Sequence, residues 1–295
     1  MDRYWLALRG AQQLDLATRL DQAGRARGLH LLALKGVAIA DELYGGFENR
    51  AMADVDLLVV ETSRFGEAAG VARSLGLVET DASDHALVFK EAASGAVVEL
   101  HLALSACPGL FRVDPAALWA RRKPVASGDL SRLADEDVIV HLALHTAFQH
   151  GFAANAYHYG DFTRALQAWP VSARSLEARA REWGASAAIG AMAVASLRLQ
   201  APGPAISPTL HSLARLCPPS LASWIRSETN FPPKMSLTTL ALVRYRIAPS
   251  TWRLLIRTLW PRPLPGRTRA RVPRLRRFFS LAETSLEEVR KWGRA

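Results

Sequence analysis

Cysteine is scarce in this sequence: only Cys107 and Cys217 occur among 295 residues. They lie far apart and show none of the short spacings that mark zinc-ligand pairs. A disulfide scaffold needs several cysteines in a short chain, so that class of fold is excluded. Because so few thiols are typical of proteins in a reducing compartment, we predict a cytoplasmic protein.

Long apolar runs are also missing. No uncharged apolar stretch reaches about 18 residues, so we predict no transmembrane helix. The start, Met1-Asp-Arg-Tyr-Trp5, lacks the basic first residues and apolar core of a secretory signal, and we expect none. Apolar residues nevertheless make up 49% of the chain, which is enough for the cores of two modest domains.

Acidic residues are absent from positions 229–282, which hold eleven arginines and one lysine. Outside this window 25 basic residues are balanced by 27 acidic ones, so the net charge of +10 arises in the window. A strongly basic segment indicates the kind of partner a protein can bind, but it does not indicate the fold. RNA or an anionic surface is one alternative partner, but no nucleic-acid motif is present, and we rank nucleic-acid binding last.

The most informative stretch is 50–60, where Asp54 and Asp56 open an aliphatic run that predicts a buried strand. Side chains alternate across a strand, so both carboxylates project from one face, roughly 7 Å apart at their Cα atoms. Mg²⁺ prefers oxygen ligands and is typically held by one or two carboxylates together with substrate phosphates. The pair alone is equally consistent with a strand that begins at the surface with two solvated acids.

A second alternating stretch, 96–104, places Glu99 and His101 on one face and its leucines on the other. If the two strands are neighbours, Glu99 joins Asp54 and Asp56 in a cluster of three carboxylates. Three acids repel one another unless a cation lies between them, so the cluster favours metal binding more strongly than the pair does. A site of this kind can hold two Mg²⁺ ions for phosphoryl or nucleotidyl transfer.

The motifs occur in the order Leu34-Lys35-Gly36, Arg50-x-Met52-x-Asp54-x-Asp56 and Val98-Glu99-Leu100-His101. Together they resemble the nucleotidyltransferase superfamily typified by DNA polymerase β, and most of all a bacterial branch usually called uncharacterised nucleotidyltransferases. The resemblance covers residues 30–165. In that superfamily a glycine turn precedes a helix, a D-x-D strand follows, and a third carboxylate lies on a later strand. The superfamily usually has Ser or Gly after the turn glycine, whereas Val37 stands here, and the branch shares the Lys-Gly form.

The resemblance implies a Mg²⁺- or Mn²⁺-dependent enzyme that moves a nucleoside monophosphate from an NTP, with ATP as the expected donor, to an acceptor. Asp54, Asp56 and Glu99 are the predicted catalytic and metal-binding residues. The acceptor stays open among small molecules, peptides, proteins and RNA. The alternative from another class is a binding protein that keeps the fold but has lost efficient donor binding at Gly36-Val37.

Four further residues near these motifs are predicted to bind substrate. Lys35 and Gly36 precede a predicted helix whose first backbone N–H groups could bind a phosphate, although the residues alone favour a plain surface lysine before a turn. Arg50 is expected either to contact substrate or, as we prefer, to hold one of the aspartates. His101 is expected to orient a neighbouring acid or to contact substrate, since Mg²⁺ prefers oxygen to imidazole.

Histidines recur on a predicted helix over 138–149, where His141 and His145 are four residues apart and share a face. This spacing suits a zinc pair, but the H-E-x-x-H form is absent. In the resembled family a His-rich helix lies beside the active site and is followed by an aspartate, which Asp161 matches. We therefore interpret His145 and Asp161 as substrate-side or packing residues in preference to zinc ligands.

The predicted architecture is α+β. A small mixed sheet with helices, the nucleotidyltransferase-like core, spans 1–133, and an all-helical region with the Arg-rich segment spans 134–295. Within that region, a helix over 251–260 either turns its apolar side to the core, which is the commoner arrangement and the one expected here, or lies on a membrane surface. A last helix is expected over 274–292.

Overall fold

The structure is a computed structural model, and it describes residues 3–199, 206–234, 236–259 and 264–265. It confirms the α+β class, with a mixed sheet followed by helices. No helix in these ranges is long and apolar enough to cross a membrane.

The chain divides into two compact units. Within the described ranges, the first unit contains residues 3–108, 113–138 and 264–265. The second unit contains residues 109–112 and all described residues between 139 and 259. The first holds the sheet, and the second is built from helices.

The sheet has seven strands within the described chain, in the spatial order β3-β4-β5-β2-β1-β7-β6. Their bounds are β1 (Leu31–Leu34), β2 (Val55–Val59), β3 (Val78–Ala82), β4 (Ala86–Lys90), β5 (Val97–His101), β6 (Lys123–Pro124) and β7 (Ser131–Arg132). β2 pairs antiparallel with β1 and parallel with β5, while β4 and β5 form an antiparallel hairpin. Every residue of β1 and β2 is buried, as expected for central strands that are almost continuously apolar.

The register of β2 and β5 positions the carboxylates. Asp56 lies directly opposite Glu99 on one side and opposite Leu34 of β1 on the other. Directly opposed residues of neighbouring strands project from the same face of a sheet. The sequence could predict this cluster only if the two acidic strands were neighbours. The pairing of β2 with β5 meets that condition.

Four helices and the start of a fifth accompany the sheet: α1 (Arg3–Arg25), α2 (Lys35–Tyr44), α3 (Phe65–Ser74), α4 (Pro115–Ala120) and α5 (Asp135–Leu144). α2 begins directly at the end of β1, two residues earlier than the sequence suggested. Thr62 and Ser63 belong to a 3₁₀ turn (Thr62–Arg64), and α3 begins after this turn at the fully buried Phe65, without a side-chain cap.

β3 was not expected from sequence. Its five residues include two acids and a threonine, and four of the five are exposed at the edge of the sheet. An edge strand that buries so little leaves only a weak alternating pattern for sequence reading to detect.

The second unit continues from α5 into a π-helix over His145–Gln149 and then into seven α-helices within the described ranges. These are α6 (Ala156–Ala168), α7 (Ala173–Trp183), α8 (Ser186–Leu199), α9 (Ser207–Ala214), α10 (Pro219–Ser227), α11 (Leu237–Ile247) and α12 (Thr251–Leu259). α8 is buried from Ala188 to Ser196. A Cβ on Gly190 would lie 2.4 Å from the backbone nitrogen of Cys217, so the small residues of α8 permit close packing.

Two helical expectations differ from the structure. The helix predicted over 138–149 is not a continuous α-helix, because its last five residues adopt the wider π form. α12 does not turn its apolar side to the core: Leu254 is buried, whereas Trp252 is 68% exposed and Leu255 and Ile256 are also exposed. The helix expected over 274–292 lies outside the described residues.

Candidate active site

Asp56 is the centre of a polar cluster in the first unit. It lies on β2, is only 3% exposed, and has two cationic or hydrogen-bonding partners on a single carboxylate oxygen. Lys35 Nζ lies 2.5 Å from Asp56 Oδ1, and His101 Nε2 lies 2.8 Å from the same atom. A buried carboxylate requires such partners, because leaving it uncompensated would cost several kcal/mol.

The path of the chain at the end of β1 explains how Lys35 reaches Asp56. Leu34 is paired with Asp56, and Lys35 follows it with a φ of +47°, a left-handed conformation that non-glycine residues seldom adopt. Such backbone strain is maintained only where surrounding contacts enforce it. The interpretation of Lys35 as a plain surface lysine is wrong, since its side chain is 15% exposed and ion-paired.

Gly36 is required by a close approach of the segment before β2. A Cβ at this position would lie 2.7 Å from Met52 Sδ and 3.0 Å from Arg50 Nη1. Those distances leave no room for a side chain unless the neighbours move. This distance to Gly36 places Arg50 beside the Lys-Gly turn, and its Nη1 also donates a hydrogen bond to the Ala51 carbonyl at 2.8 Å.

Glu99 and His101, both on β5, complete the cluster around Asp56. His101 Nε2 lies 3.2 Å from Glu99 Oε2, so one ring nitrogen is shared between two carboxylates. Ligand atoms of Asp56, Glu99 and His101 all lie within 4.8 Å of one another. The expectation that His101 orients a neighbouring acid therefore has a direct geometric counterpart.

Asp54 stands one residue before β2 and lies in the electrostatic field of the same cluster. Burial, followed by the negative charges of Asp56 and Glu99, raises the pKa of Asp54 to about 6, against the opposing effect of Lys35. This carboxyl group therefore carries negative charge that the protein compensates poorly.

For Asp56, Lys35 and His101, in contrast to Asp54, the surroundings favour the charged form. Burial opposes ionisation of Asp56, but Lys35 and His101 outweigh it and hold the pKa of Asp56 well below its usual range. Burial likewise opposes the charge on Lys35, yet Asp56 raises its pKa. The pKa of His101 is also raised, because its hydrogen bonds to Asp56 and Glu99 outweigh the cost of burial. The cluster thus contains three acids around one lysine and one histidine.

His85 is a neighbour of this cluster that sequence reasoning missed. Its ring centroid lies 5.7 Å from that of His101, and its Nδ1 lies 2.8 Å from Asp84 Oδ1. His85 belongs to none of the sequence motifs described above. Only the β4–β5 hairpin, in which Ala86 opposes His101, brings it here.

Two predicted substrate-side residues belong to the second unit. His145 opens the π-helix and is 5% exposed, and Asp161 lies on α6 and is 1% exposed. They are therefore not among the predicted residues that meet around Asp56 within the first unit. Their contact with substrate stays a prediction.

A mixed sheet that presents a D-x-D pair and a third acid beside a Lys-Gly turn is the arrangement expected of a nucleotidyltransferase. The chain belongs to the family described as uncharacterised nucleotidyltransferase, which matches residues 2–199, about two thirds of its length. Nucleotidyl transfer is accordingly the reaction class of this protein.

Two solved structures resemble the chain, each over 58% of its length. One is the solution structure of the antibiotic-resistance factor ANT(2'')-Ia, with 19% identity, a TM-score of 0.43 and 93% of that chain covered. The other is the crystal structure of ANT(2'')-Ia in complex with adenylyl-2''-tobramycin, with 17% identity, a TM-score of 0.42 and 98% of that chain covered. Comparison with curated proteins gives no match.

Proposed function

We propose that this protein transfers a nucleoside monophosphate from an NTP to an acceptor hydroxyl, with a divalent cation held by Asp54, Asp56 and Glu99. One observation carries the proposal: Asp56 is in register with Glu99 on a neighbouring strand, and a buried lysine is drawn onto it. Strand pairing of this kind assembles oxygen ligands on one face, next to a helix N-terminus suited to phosphate.

The residues present fit Mg²⁺ or Mn²⁺. Three carboxylates supply the hard oxygen ligands that these ions prefer, and a bound cation would favour the ionised form of Asp54, whose pKa burial and the charges of Asp56 and Glu99 raise. Asp54 and Asp56 would hold the ion, with Glu99 as a third ligand. When bound, it neutralises charge on the triphosphate and polarises the phosphoryl oxygens.

Lys35 and the start of α2 are proposed to bind the donor phosphates. α2 begins at Lys35, and the first N–H groups of a helix have no partners within the helix, so they favour anions. The lysine ammonium now rests on Asp56 and lies within reach of a phosphate bound at this turn. Arg50, beside Gly36, is placed to add a second cationic contact.

Glu99 is proposed to act on the acceptor. It would accept the hydroxyl proton as the acceptor oxygen bonds to the α-phosphorus, and the bond to the pyrophosphate oxygen breaks with its electron pair. His101 holds the Asp56 and Glu99 side chains through one ring nitrogen and is therefore a positioning residue for both.

The test is a screen of labelled NTPs, ATP first, with Mg²⁺ or Mn²⁺ against small-molecule, peptide and protein acceptors. We expect labelled acceptor and released pyrophosphate with the wild-type protein, and neither with Asp54→Asn or Asp56→Asn. The proposal fails if both variants bind NTP with Mg²⁺ as well as the wild type does. Metal-dependent NTP binding without transfer to any acceptor would instead support the non-catalytic binding protein.

A further inference from the structure

Three histidines come together in the second unit, separately from the carboxylate cluster. They are His145 at the start of the π-helix, His150 just after it, and His158 on α6. Ring nitrogens of all three lie within 4.8 Å of one another. The Nε2 atoms of His145 and His150 are 3.1 Å apart, and the rings of His145 and His158 are stacked with centroids 5.3 Å apart.

The π-helix is what unites the first two histidines. In an α-helix, residues five apart differ by about 140° around the axis and point to different sides. Here the His150 backbone N–H donates to the His145 carbonyl at 3.2 Å, the i to i+5 bond of a π turn. That turn is wide enough to place the two side chains one above the other. Single π turns of this kind occur frequently at functional sites.

The third histidine is oriented by the cap of α6. Asn155 Oδ1 accepts hydrogen bonds from the backbone N–H of Tyr157 at 3.0 Å and from Nδ1 of His158 at 2.9 Å. A neutral imidazole that donates through Nδ1 carries its lone pair on Nε2. Histidines that ligate metals are usually held in this way, with the second ring nitrogen bonded to an oxygen.

The spacing matches the needs of a tetrahedral metal ion. With Zn–N bonds of about 2.0–2.1 Å, two nitrogens on a tetrahedral ion lie about 3.3 Å apart. The His145–His150 separation of 3.1 Å is close to this value, and the third nitrogen lies within 4.8 Å. Imidazole suits zinc and its first-row neighbours, whereas Mg²⁺ prefers oxygen ligands.

We propose that His145, His150 and His158 form a site for a divalent transition-metal ion of the zinc type. Three protein ligands leave the fourth tetrahedral position to water or an exogenous ligand. The ion ties the π-helix to the first turn of α6. It assigns His145 a role other than the substrate contact that the sequence predicts, and it gives His145 partners other than His141, which lies outside the group of three.

The site is tested by titrating the full-length protein with Co²⁺ in excess Mg²⁺, which keeps the carboxylate cluster occupied. Tetrahedral Co²⁺ absorbs visible light intensely, so binding is read directly, and equilibrium dialysis with Zn²⁺ gives the stoichiometry. We expect one ion per chain, and we expect the same signal from Asp56→Asn. The readout is therefore independent of nucleotidyl transfer, and the two proposals fail separately.

Variants at the partly exposed histidines avoid disturbing the core. His150→Ala and His158→Ala should each weaken Co²⁺ binding by on the order of 100-fold, and Asn155→Ser, which keeps a capping hydroxyl, by about tenfold. The matched control is His211→Ala, because His211 is an exposed histidine on α9 of the same unit. Circular dichroism verifies folding, and a variant that unfolds is replaced by its Gln counterpart. Absence of Co²⁺ uptake by the folded wild type, or undiminished uptake by both histidine variants, overturns the proposal.

Discussion

The carboxylate cluster of the first unit and the histidine cluster of the second are assembled in different ways. In the first, Asp56 and Glu99 meet because they occupy opposed positions of two regular strands. In the second, His145 and His150 meet because a helix departs from regular geometry. Regular strand pairing keeps the two-residue alternation of side chains from which faces are predicted, whereas a π turn departs from the 3.6-residue repeat of an α-helix. For this reason the sequence predicted the carboxylate cluster, whereas His145 was interpreted as a substrate-side or packing residue.

The chemistry of the two clusters differs as well. The first offers carboxylate oxygens beside a lysine, which suits a hard cation and phosphates. The second offers imidazole nitrogens, which suit a softer ion. If the assignments are right, each cluster should respond to its own metal and to its own substitutions. Four experiments test this difference between the two clusters.

Asp56→Asn should have the largest effect. Removing the charge that holds the cation should lower nucleotidyl transfer by on the order of 10³-fold or more. It should also lower the free energy of unfolding by about 2–3 kcal/mol, because Lys35 stays buried without a full counter-charge. Turnover and chemical denaturation are measured on the same preparation. Since Asp56 is not one of the three ligands in the histidine cluster, Zn²⁺ uptake should be unchanged, and a loss of uptake would show that the two clusters are coupled.

Zinc loading should produce the next largest effect. At a free Zn²⁺ concentration 100 times the dissociation constant, binding to the folded state adds about 2.7 kcal/mol to the free energy of unfolding. A chelator should reverse this gain in the wild type and have little effect on His158→Ala. Denaturation curves with and without chelator make the comparison. An equal chelator response in the variant would place the zinc elsewhere.

Gly36→Ala tests how tightly the Lys-Gly turn is packed. The added methyl would lie 2.7 Å from Met52 Sδ, so we expect a loss of about 1–3 kcal/mol in unfolding free energy together with weaker NTP binding. Gly70→Ala is the matched control, because Gly70 lies within α3 with open space around it. That change should stabilise the protein by about 0.5–1 kcal/mol. If Gly36→Ala changed neither the free energy of unfolding nor NTP binding, the residues around the turn would have to move aside at little cost.

Asp54→Asn should have the smallest effect on stability, and of opposite sign to Asp56→Asn. The pKa of Asp54 is raised in the folded protein to about 6, so its contribution to stability is present below pH 4 and is lost as pH rises through 6. In chelator at pH 7, removing the charge should stabilise the fold by about 1–2 kcal/mol. The gain should disappear near pH 4. Denaturation at both pH values measures it, and a loss of stability at pH 7 would mean that Asp54 is bonded to the protein.

The structure therefore divides the two aspartates of the D-x-D pair, which their sequence makes look equivalent. Asp56 is compensated by Lys35 and His101, whereas Asp54 is half-buried, and burial together with the nearby acids raises its pKa. Strand alternation assigned both aspartates to one face of the sheet, but it did not predict which of them would form the ion pair with Lys35. That choice depends on β1 pairing beside β2, which places Lys35 against Asp56.

What the sequence determined by itself was whatever follows from regular periodicity and from a residue's own chemistry. The alternation of β2 and β5 put Asp56 and Glu99 on defined faces, and the Arg-rich window located the charge.

Only the tertiary structure decided which strands were neighbours, that Lys35 adopts a left-handed backbone, and that His145 and His150 share a side. These depend on contacts between residues far apart in the chain or on a single departure from regular backbone geometry. Neither leaves a repeating pattern in the sequence, because one residue in an unusual conformation changes no periodicity beyond itself.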